Sequence, residues 1–209
     1  MNKSIMIVDD STYIVDGLQA LLRRKGYLPI ASHGGDECLS LLATTKPDLI
    51  LLDIMMEPMD GWETLEHIKE SPVTRDIPVL MFSAKKITPD EAEEHSLSID
   101  DFVSKPVNPT QLLESIERIF ERRKDVAMEI LVAKDAGLNS QIVQEYSALR
   151  KNIEVDKNLL TVLRTSIGME VAGKEVHQSD RTAIAKLEEK ISASEARLKE
   201  INDQFTSKL

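Results

Sequence analysis

The sequence contains a single cysteine, few aromatic residues and no apolar run long enough to cross a bilayer. Cys38 has no second cysteine to pair with, which excludes an internal disulfide and is typical of a reducing compartment. No signal-peptide pattern precedes the first apolar segment. A glycine-rich phosphate loop, paired cysteine and histidine ligands, and a glycine–serine–glycine nucleophile motif are also missing. We therefore expect a cytoplasmic protein that does not insert into membranes and is not an enzyme.

A basic surplus is absent from the second part of the chain. Residues 1–120 contain 21 acidic and 11 basic side chains, whereas residues 121–209 contain 15 of each. Surfaces that bind nucleic acid need an excess of lysine and arginine to contact phosphates. The charge balance therefore argues against nucleic acid as a partner.

Two kinds of apolar pattern alternate over the first 120 residues. Short aliphatic runs that predict buried strands lie at residues 5–8, 27–31, 49–53, 78–82 and 101–103. Apolar residues at helical spacing lie at 12–25, 36–44 and 61–69, and further helices are predicted to begin at Thr88 and Asn108. Such alternation predicts an α/β fold, a five-stranded, doubly wound parallel sheet covered by helices.

Polar residues stand where four of these predicted strands end. Asp9 and Asp10 follow the first strand, Asp53 ends the third, Ser83 follows the fourth, and Lys105 comes shortly after the fifth. All parallel strands open on the same edge of a sheet, so we expect these side chains to converge. Three carboxylates this close would repel one another unless a cation lay among them, and a hard ion such as Mg²⁺ takes oxygen ligands. The pattern therefore predicts a site for Mg²⁺ or another divalent ion such as Mn²⁺.

The strand-end residues belong to a longer pattern that extends from residue 3 to about residue 122. It also includes Met56, Gly61, Ala84, Phe102 and Pro106. As a whole it resembles the receiver domain of two-component response regulators. The resemblance implies a flavodoxin-like receiver at residues 1–122 that interacts with a sensor histidine kinase.

The resemblance also assigns the chemistry of the predicted site. It implies that Asp53 accepts a phosphoryl group from the kinase's phosphohistidine, and that self-dephosphorylation there is the most that the chain catalyses. Asp10 and Asp53 would bind Mg²⁺ directly together with the backbone carbonyl of Met55. Asp9 would act as a metal ligand mainly through water.

Three further residues take roles in the switch that the resemblance implies. Lys105 would pair with one phosphate oxygen, and Ser83 would form a hydrogen bond to another. Phe102 would be the rotating aromatic that reports phosphorylation to the neighbouring helices. The pattern departs from the family's at Glu57, where proline is usual, and at Ser98, where glycine is usual. Glu57 places a negative charge near the expected metal and is the one argument for a receiver that does not take phosphate.

Residues 123–209 predict an all-α extension. The last receiver helix either continues to about residue 136 or breaks within the charged run 121–125. Helices at about 140–167 and 180–206, joined by a connection at about 168–179, have apolar seams at heptad spacing, with Asp156 in one seam position. The seam residues are Ile142, Tyr146, Leu149, Ile153, Leu160, Leu163 and Ile167, and then Ile184, Leu187, Ile191, Ser194, Leu198, Ile201 and Phe205. The pattern predicts an antiparallel helical hairpin or an intermolecular coiled coil.

The extension determines the expected output. We expect a response regulator whose phosphorylation controls a homodimer or a protein partner through these helices, although the extension could also be a simple helical spacer. The alternative function is a nucleic-acid-binding regulator, because residues 136–151 faintly resemble helix-turn-helix and RNA-binding antitermination segments.

Overall fold

The computed structural model describes residues 2–135, 139–171 and 178–206. Five strands and seven helices lie within these ranges. The strands are β1 (Ser4–Val8), β2 (Leu28–Ser32), β3 (Leu49–Asp53), β4 (Val79–Ser83) and β5 (Asp101–Ser104). The helices are α1 (Thr12–Arg24), α2 (Gly35–Leu42), α3 (Gly61–Glu70), α4 (Pro89–His95), α5 (Pro109–Asp135), α6 (Ser140–Val171) and α7 (Gln178–Thr206). Most of the predicted connection at 168–179 lies outside the described residues.

The five strands form one parallel sheet in the order β2-β1-β3-β4-β5. β3 and β4 are buried along their whole length, which is why their sequences are continuous apolar runs rather than alternating ones. Each strand is followed by a helix, so consecutive parallel strands are joined by crossovers that cover the sheet. The predicted five-stranded parallel α/β fold is confirmed.

The chain divides into two compact units. One contains Met1–Lys86 and Ser98–Ile116, and the other contains Ile87–Leu97 and Glu117–Leu209. The first, which we call the sheet unit, holds all five strands. The second, which we call the helical unit, holds α6, α7, most of α5 and also α4. The alternation of strands and helices in the sequence predicts that α4 packs with the receiver. In the structure, α4 instead belongs to the helical unit and contacts α6 and α7.

Within the helical unit, α6 and α7 pack against each other along the predicted seams. Tyr146, Ile153, Leu160, Leu163, Leu187, Ile191 and Ile201 are buried, and Ile142, Leu149, Ile184, Ser194 and Leu198 are half-buried. The side chains of Ile167 and Phe205 lie outside the described residues. Val155 and Leu159 are also buried although they lie off the seam, because α6 contacts α4 as well as α7. The buried arc of α6 is therefore wider than a two-helix seam.

α5 is one continuous helix through the charged run 121–125. Arg122 in that run is buried, and its guanidinium donates to Glu154 of α6 at 2.8 Å. A second ion pair, Arg150 with Glu129 at 2.7 Å, joins α6 to α5 one to two turns further along. These contacts explain why the charged run continues the helix instead of ending it. In the described part of the chain, no helix has the length and apolar character needed to cross a membrane.

Candidate functional site

The register of the sheet brings the predicted site residues together. Val8 of β1 lies beside Leu52 of β3, so Asp9, the next residue after β1, reaches the same edge as Asp53. β4 and β5 end at this edge too, where Ser83 pairs with Ser104. Parallel strands place their loops and ligands at this carboxyl edge. All the strand-end residues chosen from the sequence therefore lie on one side of the sheet unit.

Asp9, Asp10 and Asp53 form an acidic cluster. A carboxylate oxygen from each of the three lies within 4.8 Å of the others. Asp9 and Asp53 are only 1% and 3% exposed, whereas Asp10 is exposed to solvent. The cluster thus has a buried floor and an open side.

Lys105 bridges two members of the acidic cluster. Its Nζ donates to Asp9 Oδ2 at 2.7 Å and to Asp53 Oδ2 at 2.8 Å. The same ammonium lies 4.6 Å from the centre of the Phe82 ring, whose face attracts a cation. The single charge of Lys105 does not balance the three carboxylates, so a second cation could be accommodated at the cluster.

The hydrogen bonds of the cluster leave one buried oxygen unsatisfied. Asp9 Oδ1 accepts the amide of Ser11 at 2.8 Å, so both of its carboxylate oxygens are engaged. Asp53 Oδ1 is buried and has no hydrogen-bond partner among the described residues. A buried acceptor without a partner is costly and calls for a ligand. Because Mg²⁺ prefers carboxylate oxygens, the residues present fit a divalent cation.

The electrostatics of Asp53 reflect its burial. Burial raises the pKa of the Asp53 carboxyl, and the nearby charge of Asp9 acts in the same direction. The hydrogen bond and charge of Lys105, together with the nearby backbone amide of Met55, oppose this effect without cancelling it, so the pKa of Asp53 lies above its ordinary value. Added positive charge at the open side would therefore favour the ionised, nucleophilic form.

Gly61 sets the position of the loop beside Asp53. A Cβ atom at residue 61 would collide with the carbonyl oxygen of Asp53 and would lie 2.7 Å from Cα of Ile54. The amide of Gly61 donates to the carbonyl of Ile54 at 2.9 Å, and Asp60 caps α3 by accepting the amide of Glu63. Gly61 is part of the sequence pattern, but only the structure shows that the backbone of Asp53 approaches it too closely for a larger residue.

The remaining predicted residues differ in their burial and in their hydrogen bonds. Ser83 is buried, and its Oγ accepts the amide of Lys85 at 3.0 Å. Phe102 is 1% exposed within β5. The Met55 side chain is exposed, and the metal-binding role of its carbonyl stays a prediction. Glu57 is exposed and is not a member of the acidic cluster, which weakens the argument that it disables the site.

Comparison with known families accounts for both parts of the chain. Residues 5–117 match the family described as response regulator receiver domain. Residues 122–208 match Metanogen output domain 2, which is not a known DNA-binding family. The heptad pattern of residues 123–209 does not identify this second family, because many unrelated helical proteins share such a pattern.

The chain is also similar to individual proteins of known sequence or structure. The chain is 36% identical over 143 residues to the alkaline phosphatase synthesis transcriptional regulatory protein PhoP of Bacillus subtilis, which covers 68% of the chain and 58% of that relative. It is 29% identical to the CheY-like receiver domain protein of Methanospirillum hungatei JF-1, with a TM-score of 0.55 over 60% of the chain and 99% of that structure. It is 57% identical to the N-terminal domain of a receiver protein from Methanoculleus marisnigri JR1, with a TM-score of 0.49 over 56% of the chain and 94% of that structure. The chain thus spans less than two thirds of the length of the curated relative.

Proposed function

The chain belongs to the response regulator receiver domain family and is a two-component response regulator, and from this premise we propose that a sensor histidine kinase phosphorylates it on Asp53. Receiver domains in general are signalling domains and not enzymes. One observation carries the proposal: Lys105 bridges Asp9 and Asp53 while the other oxygen of Asp53 is buried without a partner. This arrangement supports an acidic pocket that binds a cation and presents one carboxylate for reaction.

In the proposed reaction, a carboxylate oxygen of Asp53 forms a bond to the phosphorus atom of the kinase's phosphohistidine. The phosphorus–nitrogen bond breaks, and its electron pair returns to the imidazole ring. Phosphoryl transfer depends chiefly on positioning and on neutralising charge at the phosphoryl oxygens. Lys105, which lies 2.8 Å from Asp53 Oδ2, supplies one such positive charge.

We propose Mg²⁺ as the resident cation. Asp10, Asp53 and the carbonyl of Met55 would hold it directly, and Asp9 would contribute mainly through water. When bound, Mg²⁺ would add positive charge beside the phosphoryl oxygens and so stabilise their negative charge. The orphaned Asp53 Oδ1 and the exposed carboxylate of Asp10 support this assignment.

Ser83 and Phe102 are the proposed switch residues. After transfer, the Ser83 hydroxyl would donate to a phosphoryl oxygen, and Phe102 would change its packing in β5. A phosphoryl group adds nearly two negative charges and strong acceptors, which is enough to reorder a loop that offers a donor.

Output is proposed to pass through the helical unit to a second copy of the chain or to a protein partner. The alternative, a nucleic-acid-binding regulator, needs free basic side chains on α6. Arg150 is paired with Glu129, Lys157 with Glu195 and Arg164 with Glu188. Lys151, the fourth basic side chain of α6, donates to the carbonyl of Leu97. Three of the four basic side chains are thus neutralised by carboxylates, which leaves little basic surface for phosphate binding and favours protein contact as the output.

Labelling with acetyl phosphate and Mg²⁺ tests the acceptor assignment. The intact chain should gain one phosphoryl group by mass spectrometry, and Asp53→Asn should gain none. Asp16→Asn is the matched control, because Asp16 is an exposed carboxylate on α1. Labelling of Asp53→Asn at the wild-type level would show that another residue is the acceptor.

A further inference from the structure

The helical unit holds the C-terminal end of α4 with two lysines. Lys190 of α7 donates from Nζ to Oγ of Ser96 at 2.9 Å, and Lys151 of α6 donates to the carbonyl of Leu97 at 2.7 Å. Ser96 is fully buried and is the C-terminal cap of α4. Cations at the end of a helix satisfy its last carbonyls and complement its dipole. The end of α4 is therefore fixed by α6 and α7 together.

Lys190 is in turn held by a buried carboxylate. Asp156 is completely buried, and Lys190 Nζ lies 3.1 Å from its Oδ1 and 3.0 Å from its Oδ2. A carboxylate in an apolar helix seam is strongly destabilising unless a cation accompanies it. This pairing explains the presence of Asp156 in the heptad seam. It also orients Lys190, because the same ammonium reaches both Asp156 and Ser96.

α4 is connected to the proposed acceptor site by a short segment. Four residues separate Ser83, at the end of β4, from Thr88, which caps α4. Thr88 and Glu91 form a capping box, so the start of α4 is rigidly attached to the end of this segment. The Ser83 Oγ accepts the Lys85 amide within the same segment. If the Ser83 hydroxyl turned toward a phosphoryl group on Asp53, it would give up this bond, and the segment would shift and pull on α4.

We propose that the contact of Lys190 with Ser96 and Asp156 restrains α4 against this movement and so opposes the switch at the phosphoacceptor site. The inference rests on the proposed function, because it needs Asp53 to be the site that Ser83 responds to. Coupling between two sites is reciprocal, so a contact that favours one position of α4 must weaken any ligand that favours another. Loosening the contact should then strengthen the binding of a phosphoryl analogue.

A double variant separates restraint from simple stabilisation. Asp156→Leu with Lys190→Met replaces the buried ion pair with apolar side chains, which commonly preserves stability, whereas removing one partner alone leaves a buried charge. Ser96→Ala is a second variant, which removes the hydroxyl and leaves the ion pair in place. Lys186→Met is the matched control, because Lys186 is an exposed lysine on α7 one turn before Lys190. Circular dichroism should show that all variants are folded.

The readout is beryllofluoride binding in the presence of Mg²⁺, followed by the fluorescence of Trp62. Trp62 is the only tryptophan and adjoins Gly61, which packs against the backbone of Asp53. We expect the dissociation constant to fall about fivefold in the double variant, less in Ser96→Ala, and not at all in Lys186→Met. An unchanged or higher dissociation constant in both the double variant and Ser96→Ala would overturn the restraint while leaving the proposed function intact. No beryllofluoride binding by the wild-type chain would instead refute the proposed function, and the restraint with it.

Discussion

Replacement of Lys105 by methionine removes the cation that bridges two members of the acidic cluster. Lys105 Nζ donates to Asp9 and Asp53, both nearly fully buried, at 2.7 and 2.8 Å. Methionine is of similar length, and its thioether can still pack against the Phe82 ring that the ammonium now faces, so the change chiefly removes charge. Lys105→Met should therefore destabilise the sheet unit in the absence of a divalent cation.

The expected loss follows from the burial of the two carboxylates. Breaking a buried ion pair by deleting one partner costs about 3–5 kcal/mol, because a charge is left buried and uncompensated. Two features of the site reduce this figure. Asp9 keeps the amide of Ser11, and the raised pKa of Asp53 makes its protonation less costly. We therefore expect a loss of about 3 kcal/mol near neutral pH, at the lower end of that range.

Urea unfolding with a metal chelator, followed by Trp62 fluorescence, measures this loss in the sheet unit. Lys46→Met is the control, because Lys46 is exposed and lies outside the site. Mg²⁺ should restore more stability to Lys105→Met than to the wild type, since a ligand that binds only the folded state stabilises it by mass action. A loss no larger than that of Lys46→Met, about 0.5 kcal/mol or less for a surface change, would refute the account of the cluster.

Three further predictions concern the rest of the sheet unit. Gly61→Ala should destabilise the sheet unit by about 1–3 kcal/mol through overpacking and should reduce labelling by acetyl phosphate. Gly17→Ala, at an exposed helical position with open space around it, should instead stabilise the unit by about 0.5–1 kcal/mol. Thermal melts measure both changes in stability, and mass spectrometry measures the labelling. Burial raises the pKa of the Cys38 thiol to about 12, so iodoacetamide at pH 8 should alkylate it only after unfolding, and rapid alkylation of the native chain would contradict its burial. Burial acts to raise the pKa of Asp48, but hydrogen bonds that include one from Lys3 outweigh it and lower the pKa. A lowered folded-state pKa adds stability that is fully present above the ordinary value of about 4 and is lost as the pH falls through the folded value. Asp48→Asn should therefore lower the urea midpoint at pH 7, and this effect should shrink as the pH is lowered below the ordinary value.

The sheet and its acidic edge could be predicted because the relevant information is local in the sequence. The strands at 5–8 and 49–53 are continuous apolar runs, and such runs between amphipathic helices predict buried parallel strands. Once the strands are parallel, topology alone places Asp9, Asp53 and Lys105 at one edge. The hydrogen bonds of Lys105 and the orphaned oxygen of Asp53 depend on side-chain positions, which no spacing rule supplies.

The contact of α4 with α6 and α7 could not be predicted, because an amphipathic pattern does not identify the partner of a helix. α4 has its own capping signals, and nothing in its seven residues indicates contact with α6 and α7. Asp156 interrupts the apolar seam, and the heptad pattern does not indicate that Lys190 forms an ion pair with it. α6 also continues beyond the predicted limit of about residue 167, through Gly168 to Val171. A glycine inside a helix costs only about 1 kcal/mol, which packing along a long helix can offset.

Both α4 and α5 connect the sheet unit to the helical unit through the chain itself. The first residues of α5 belong to the sheet unit and Glu117 onward to the helical unit, while α4 is joined to Ser83 by the segment before Thr88. The two connections differ in kind. α5 is one unbroken helix whose extension forms an ion pair with α6 through Arg122 and Glu154. α4 is only seven residues long, is joined to β4 by a short segment, and has its C-terminal end held by hydrogen bonds from Lys190 and Lys151. On the proposed scheme, phosphorylation of Asp53 would therefore reach the helical unit as a displacement of α4 against α6 and α7.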